Sequence, residues 1–167
     1  MDNRQARPQL SFTEAVKSTW QNITNFNGRA RRSELWWSFL VYVVVSGIGS
    51  SLLGSSFVVS LLFSLAMYVW IVAVTVRRLH DNNHSTLWVI VSVLSSVVTS
   101  VLMTTSGDSD LISALNATPG DVIGVMLKPQ YIVLGIVSTI SNLMILIFCL
   151  QDSDPLPNKY GDSPKYI

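Results

Sequence analysis

The chain has 167 residues, enough for one domain, with 49% hydrophobic and only 13% charged side chains, about half the usual charged share. Its formal net charge is +1 and its mean hydropathy +0.43, out of line with an ordinary soluble domain. The basic residues sit beside apolar runs rather than across one face, which excludes a nucleic-acid role, and a single cysteine, Cys149, excludes an internal disulfide.

Residues 1–10 are polar, contain Pro8 and show no periodicity. They are expected to be disordered, and no cleavable signal follows them. Ser11-Phe12-Thr13-Glu14 reads as a capping box, in which Ser11 caps and Glu14 reaches back to the Ser11 amide. Phe12, Val16, Trp20 and Ile23 then recur at helical spacing. This predicts a short amphipathic helix lying in a membrane interface or packed on its own protein. Asn27-Gly28 breaks it, and Arg29, Arg31 and Arg32 follow.

From Leu35 to Val76 there are 42 residues without a charge. A charge at a bilayer centre costs roughly 2.5–3.5 kcal/mol even on the lenient insertion scale. A membrane helix needs about 20 apolar residues, so this stretch predicts two spans, 34–53 and 57–76. A Gly/Ser-rich turn (Gly47, Gly49, Ser50, Ser51, Gly54, Ser55, Ser56) divides them. Ser33 is the expected cap of the first, and Trp36 and Trp37 suit an interfacial belt. A third span is expected over 87–103 and a fourth over 131–150. Between them the acidic residues 104–130 are expected to carry a short surface helix over 110–115 and a turn at Thr118-Pro119-Gly120. Residues 151–167, with Pro155, Pro157, Gly161 and Pro164, form an extended or turned tail. The expected fold is all-α: a single four-helix membrane domain, 11–150, with the short amphipathic helix ahead of its first span.

Four spans put both termini on one side. There lie Arg4, Arg7, Lys17, Arg29, Arg31, Arg32, Arg77, Arg78, Lys159 and Lys165, with Lys128 alone opposite. The positive-inside rule makes the basic side, with both termini and the 151–167 tail, cytoplasmic. Small residues at spacing four predict packing seams: Ser46, Ser50 and Gly54; Ser92, Ser96 and Ser100; Gly135 and Thr139; Ser138 and Asn142. Beyond Glu34 at the edge of the first span, no acid, base or histidine lies within a span, which disfavours an ion pathway.

Arg77-Arg78-Leu79-His80-Asp81 leaves the second span at the basic side. Asp81 follows the arginines by three and four residues, so either pairing is open on a helix. The segment reads as a topological anchor, as an anionic-lipid site built with Arg29, Arg31 and Arg32, or as an acid–base site using His80 and Asp81. A zinc site with His84 would need a third ligand from Cys149, Asp152 or Asp154. No metal or cofactor is assigned.

Three segments together resemble a known family. Phe26-Asn27-Gly28-Arg29-Ala30-Arg31-Arg32-Ser33-Glu34-Leu35-Trp36-Trp37 is similar to the F-x-G-R-A-x-R-x-E-[FY]-W-x signature of the domain of unknown function 805 family, YhaH-type bacterial inner-membrane proteins. Val76-Arg77-Arg78-Leu79-His80-Asp81 is similar to its R-R-L-H-D segment. Pro157-Asn158-Lys159-Tyr160-Gly161-Asp162-Ser163-Pro164 resembles its P-N-[RK]-Y-G-x-x-P. The motif does not supply His84, and residues 104–130 are longer than the usual connection. The resemblance implies a helical membrane fold in a bacterial inner membrane and no established activity.

All three segments fall on the side read as cytoplasmic. Arg29, Arg31, Arg32, Glu34, Arg77, Arg78, His80, Asp81, Asn158 and Tyr160 are therefore expected to form one cluster. It is either a clasp, with Glu34 and Asp81 neutralising arginines, or a site for anionic lipid or a partner protein. The alternatives are a small oligomeric transporter or channel, and a membrane enzyme acting on a lipid phosphate through His80 and Asp81. Expected partners are anionic lipids and a second copy or another membrane protein.

Overall fold

Ser11 opens the first helix, α1 (Phe12–Gln21), through the expected capping box, with the Ser11 hydroxyl accepting from the Glu14 amide and the Glu14 carboxylate accepting from the Ser11 amide. The computed structural model describes residues 5–53, 56–113 and 118–166. In order these form α1, α2 (Arg32–Leu53), α3 (Phe57–Asp81), α4 (Leu87–Thr105), α5 (Asp108–Ser113), α6 (Pro119–Met126) and α7 (Pro129–Leu150). No strand forms among the described residues. Four helices, α2, α3, α4 and α7, are long and apolar enough to cross a membrane. The protein is an all-α polytopic membrane protein with a short amphipathic helix before its first span.

Residues 5–10, expected to be disordered, are joined to the tail: Ala6 bridges Tyr166, and the Arg7 amide donates to the Lys165 carbonyl at 2.8 Å. Residues 1–4 lie outside the described set. The chain divides into two compact units, residues 1–86 with 147–167, and residues 87–146.

In the first unit α1, α2 and α3 pack on one another. The buried face of α1 is Ala15 and Thr19, while Phe12 and Trp20 stay 47% and 65% exposed. The apolar stripe read from spacing is thus turned mainly away from the protein, as an interfacial helix requires. Phe12 meets Trp37 edge-on at 5.4 Å and Trp20 lies 6.0 Å from Trp70. Thr19 and Ser38 share a buried hydroxyl–hydroxyl hydrogen bond of 2.6 Å, which fixes α1 to α2.

The α2–α3 pair is antiparallel. Its close approach falls at Gly49; of the expected row, Ser46 has a buried hydroxyl while Ser50 is exposed. A Cβ built on Gly49 would lie 2.3 Å from the Phe63 ring, whereas Gly47 has open space. Ser50 and Ser51 instead return their hydroxyls to the Gly47 carbonyl, satisfying themselves within the helix. Gly54, expected in that row and in the turn, and Ser55 lie outside the described residues. Ser33 does not cap α2; it lies inside the first turn, and its hydroxyl accepts from the Leu10 amide at 3.4 Å.

α3 runs five residues past its expected end, carrying Arg77, Arg78, His80 and Asp81 on helix. It stops at Asn82–His84 in a Schellman arrangement. Asn83 takes φ +58°, its amide donates to the His80 carbonyl, and the His84 amide donates to the Leu79 carbonyl.

In the second unit Ser92 donates to Asn142 Oδ1 at 3.1 Å, while Ser96 and Ser100 bond back to their own helix. Gly135 and Thr139 lie on an exposed face. Asp108 accepts from Lys128, Tyr131 and Ser106 at 2.5, 2.8 and 2.8 Å; hydrogen bonding, from Lys128 first, pulls its carboxyl down to about 2. The short helix expected over 110–115 is α5, shifted toward the N-terminus, with Ala114 and Leu115 outside the described residues. Thr118-Pro119-Gly120 opens α6 rather than a turn, because Thr118 and Asp121 form a second capping box and Pro119 takes the first helical position.

The Gly49 contact yields a paired test. Gly49→Leu overpacks the α2–α3 seam and lowers the thermal midpoint in detergent, at a cost of about 1–3 kcal/mol. Gly47→Ala raises it slightly, since alanine is favoured over glycine in a helix by about 1 kcal/mol.

Candidate functional site

The three motif-bearing segments meet in the first unit. Asn27-Gly28, with Gly28 at φ +86°, turns the chain from α1 toward α3. The Ala30 amide then donates to the Arg77 carbonyl at 3.0 Å. This holds Arg29 over the last turn of α3, and Ala30 is fully buried there.

Asp81 is fully buried and takes two arginines. Its Oδ1 accepts from Arg29 Nε at 2.9 Å and its Oδ2 from Arg78 Nη1. The three-residue pairing with Arg78 forms; Arg77 turns instead to Glu34, at 3.0 Å, with both side chains buried. Sequence spacing left the choice open, and the α2–α3 contact decides it: Arg77 faces α2 and Arg78 faces the tail.

Arg29 uses all five of its N–H donors. Besides Asp81 Oδ1, it reaches the carbonyls of Leu156 at 2.8 Å, Gly161 at 3.2 Å, Asp81 at 3.1 Å and Asp154 at 2.5 Å. Arg78 is also engaged within the protein. Its Nε donates to the Cys149 carbonyl at 3.3 Å, its Nη1 reaches the Ala30 carbonyl and the Ser153 hydroxyl, each at 3.4 Å, and its Nη2 donates to the Gln151 carbonyl. These acceptors include the last carbonyls of α7, where a cation is favoured by the helix dipole. Arg77 differs: its Nε and Nη2 are buried without a protein partner. Such groups call for ordered water, and the Thr19 and Ser38 hydroxyls beside Glu34 give that corner its polar lining.

His80 stacks flat on Tyr160, with centroids 3.6 Å apart, and its Nε2 hydrogen-bonds the Thr86 hydroxyl at 2.8 Å. Asn158 donates to the His80 carbonyl at 2.9 Å and accepts from the Tyr160 amide at 2.9 Å. An Asn158–Gly161 turn with Gly161 at φ +124° thus presents Tyr160 to His80. His84 stacks on Phe148 and meets Gln151. His80 and His84 therefore lie against different rings. Among the described residues no three His, Cys, Asp or Glu side chains are grouped to hold a metal. Each Asp81 oxygen is paired with a guanidinium and the residue is fully buried, so the carboxylate is shielded from solvent.

Arg31 and Arg32 lie outside the clasp. Arg31 donates through Nη2 to the Arg7 carbonyl at 2.8 Å. Arg32 is 44% exposed and meets Asp152 at 3.2 Å and the Leu150 carbonyl at 3.3 Å. Lys165 also holds Asp152, donating to both oxygens at 2.7 and 2.6 Å. That contact keeps the Asp152 carboxyl below its ordinary value and raises the Lys165 ammonium. These side chains and Gln9, Trp36 and Trp37 line an open groove of about 480 Å³.

The family model described as "Protein of unknown function (DUF805)" matches residues 23–162. The chain belongs to that family. It is also similar to Inner membrane protein YhaI of Escherichia coli, in strains K12 and O157:H7. Each is 36% identical over 75 residues, covering 42% of this chain and 64% of the relative. The aligned region thus spans less than two thirds of those relatives. No solved structure matches the chain.

The sequence reading placed Asp152 only as a spare metal ligand and Lys165 only as a topological charge. It missed Thr19, Ser38 and the tail carbonyls. The carbonyls carry no side-chain signal; the surplus of arginine over acid in the motifs was the clue that backbone acceptors were needed.

A double-mutant cycle tests the clasp in detergent-solubilised protein. Asp81→Ala alone lowers the thermal midpoint, since removing one member of a buried pair costs about 3–5 kcal/mol. Adding Arg78→Ala recovers part of that loss. Asp81 couples to Arg29 and Arg78 by about 0.5–3 kcal/mol, and Arg77 couples comparably to Glu34.

Proposed function

We propose that this chain is a bacterial inner-membrane protein that holds an anionic phospholipid by its headgroup at the cytoplasmic face. The location draws on the YhaI name and on the four apolar helices. The orientation draws on the ten-to-one distribution of lysine and arginine.

The groove formed by Arg31, Arg32, Lys165, Trp36 and Trp37 carries the lipid reading. Three cations converge there, and guanidinium grips phosphate through paired donors. Trp36 and Trp37 are 39% and 38% exposed and have the amphipathic rings that favour the headgroup level. Arg29 and Arg78 are not part of the lipid site, because their donors are engaged within the protein. The motif arginines thus divide into an enclosed clasp and a pair that lines the groove, of which Arg32 is exposed and Arg31 is only 8% exposed. Exposed Phe12 and Trp20 on α1 would seat the same face in the interface.

Native mass spectrometry tests the lipid. The purified protein should retain phosphatidylglycerol in preference to phosphatidylcholine, and Arg31→Gln with Arg32→Gln should reduce retention. Each cation near the surface is worth about 1 kcal/mol, roughly fivefold in affinity. Equal retention of both lipids by the parent would defeat this reading.

Orientation is tested separately in a Cys149→Ser background. A membrane-impermeant thiol reagent added to spheroplasts, which expose the outer face of the inner membrane, should label Asp110→Cys and spare Asp162→Cys, both exposed positions. The reverse pattern would invert the topology.

A further inference from the structure

Asp152 occupies the place in the groove that the lipid phosphate would take. It lies two residues beyond α7, and its side chain is 49% exposed. Lys165 Nζ donates to both of its oxygens, Arg32 Nη2 lies 3.2 Å from Oδ1, and the Tyr166 hydroxyl donates to Oδ2 at 3.4 Å. Two cations and a hydroxyl around one anion form a donor set that suits a phosphate as well as a carboxylate. Asp81 shows the contrasting case: fully buried between Arg29 and Arg78, it cannot be replaced without opening the fold. Asp152 is exchangeable because its pairs face solvent, where such contacts contribute little.

The same groove touches both ends of the described chain. The Lys165 carbonyl accepts from the Arg7 amide at 2.8 Å, Tyr166 bridges Ala6, and the Arg7 carbonyl accepts from Arg31 at 2.8 Å. Residues 5–7 and 164–166 therefore form a strap across the groove's basic residues, pinned at Asp152.

We propose that Asp152 is an internal competitor for the groove, holding Arg32 and Lys165 until a lipid phosphodiester takes its place. The exchange breaks no covalent bond: one anion replaces another on the same cations, and the freed carboxylate turns to water. The inference rests on the lipid reading above and adds the regulation of that site. Lys165 lowers the Asp152 carboxyl below its ordinary value, so at neutral pH the competitor is ionised.

The test compares lipid retention by parent, Asp152→Asn and Asp162→Asn proteins in detergent, by native mass spectrometry with phosphatidylglycerol against phosphatidylcholine. Asp162 is exposed and outside the groove, so its amide makes the same change in net charge. Asp152→Asn, which frees Arg32 and Lys165, should raise phosphatidylglycerol retention by at least about fivefold, the worth of one cation near the surface, and Asp162→Asn should leave it unchanged. Excess inorganic phosphate should not displace the lipid; displacement would show that free phosphate suffices and overturn the lipid-borne ligand. If the parent prefers phosphatidylglycerol but Asp152→Asn matches it, the competitor is overturned and the lipid reading stands. An equal rise in Asp162→Asn assigns the effect to net charge and also overturns the competitor. If neither parent nor Asp152→Asn prefers phosphatidylglycerol, both readings fall.

Discussion

The Asp81 carboxylate, buried between Arg29 and Arg78, joins the segment before α2 to the end of α3, and through the two arginines it joins both to the tail. Each guanidinium has one face on the acid and another on main-chain carbonyls. Neutralising one charge of two leaves a net positive centre, and the dipoles of the Cys149, Gln151, Asp154, Leu156 and Gly161 carbonyls compensate it. A cluster of this kind is a weak source of stability against an apolar alternative, but it specifies geometry. With Arg78 held on Asp81, its neighbour Arg77 on the other face of α3 meets Glu34 of α2.

Much of this was legible in the residues themselves. The spans follow from uninterrupted apolarity, which no competing structure explains, and their observed ends differ from expectation by a few residues. α1 was readable because its capping box and its apolar spacing agree. The clustering of the three motifs followed from charge topology and is found in the first unit. What the sequence hid has two physical origins. Helix packing is decided by local clearance, so Gly49 opposite Phe63 forms the seam although the Ser46/Ser50 row looked equally suited. Main-chain acceptors have no letter code, so the partners of Arg29 were invisible. α6 was masked by Pro-Gly, a pair that signals a turn unless a cap precedes it; Thr118 does.

The basic residues of the motifs are not one class. Arg29 and Arg78 are enclosed among protein acceptors, Arg77 is enclosed with two nitrogens unmatched by protein, and Arg31 and Arg32 line an open groove, Arg31 nearly buried and Arg32 exposed. Identical side chains within a few residues thus face different dielectric environments. The helical period separates Arg77 from Arg78, and the boundary of α2 separates Arg29 from Arg32. A count of positive charge near a membrane overstates what is available to a ligand, because part of that charge is consumed by folding.

Arg29 and its acceptor Gly161 are 132 residues apart in the chain. During synthesis α2 and α3 reach the membrane long before the tail exists, and until then the two clasp guanidiniums have only Asp81, the Ala30 carbonyl and water. Residues 151–161 are therefore the ones that complete the clasp. A nascent chain that stalls after α7 would keep its clasp guanidiniums hydrated, a positively charged opening chemically distinct from the finished fold.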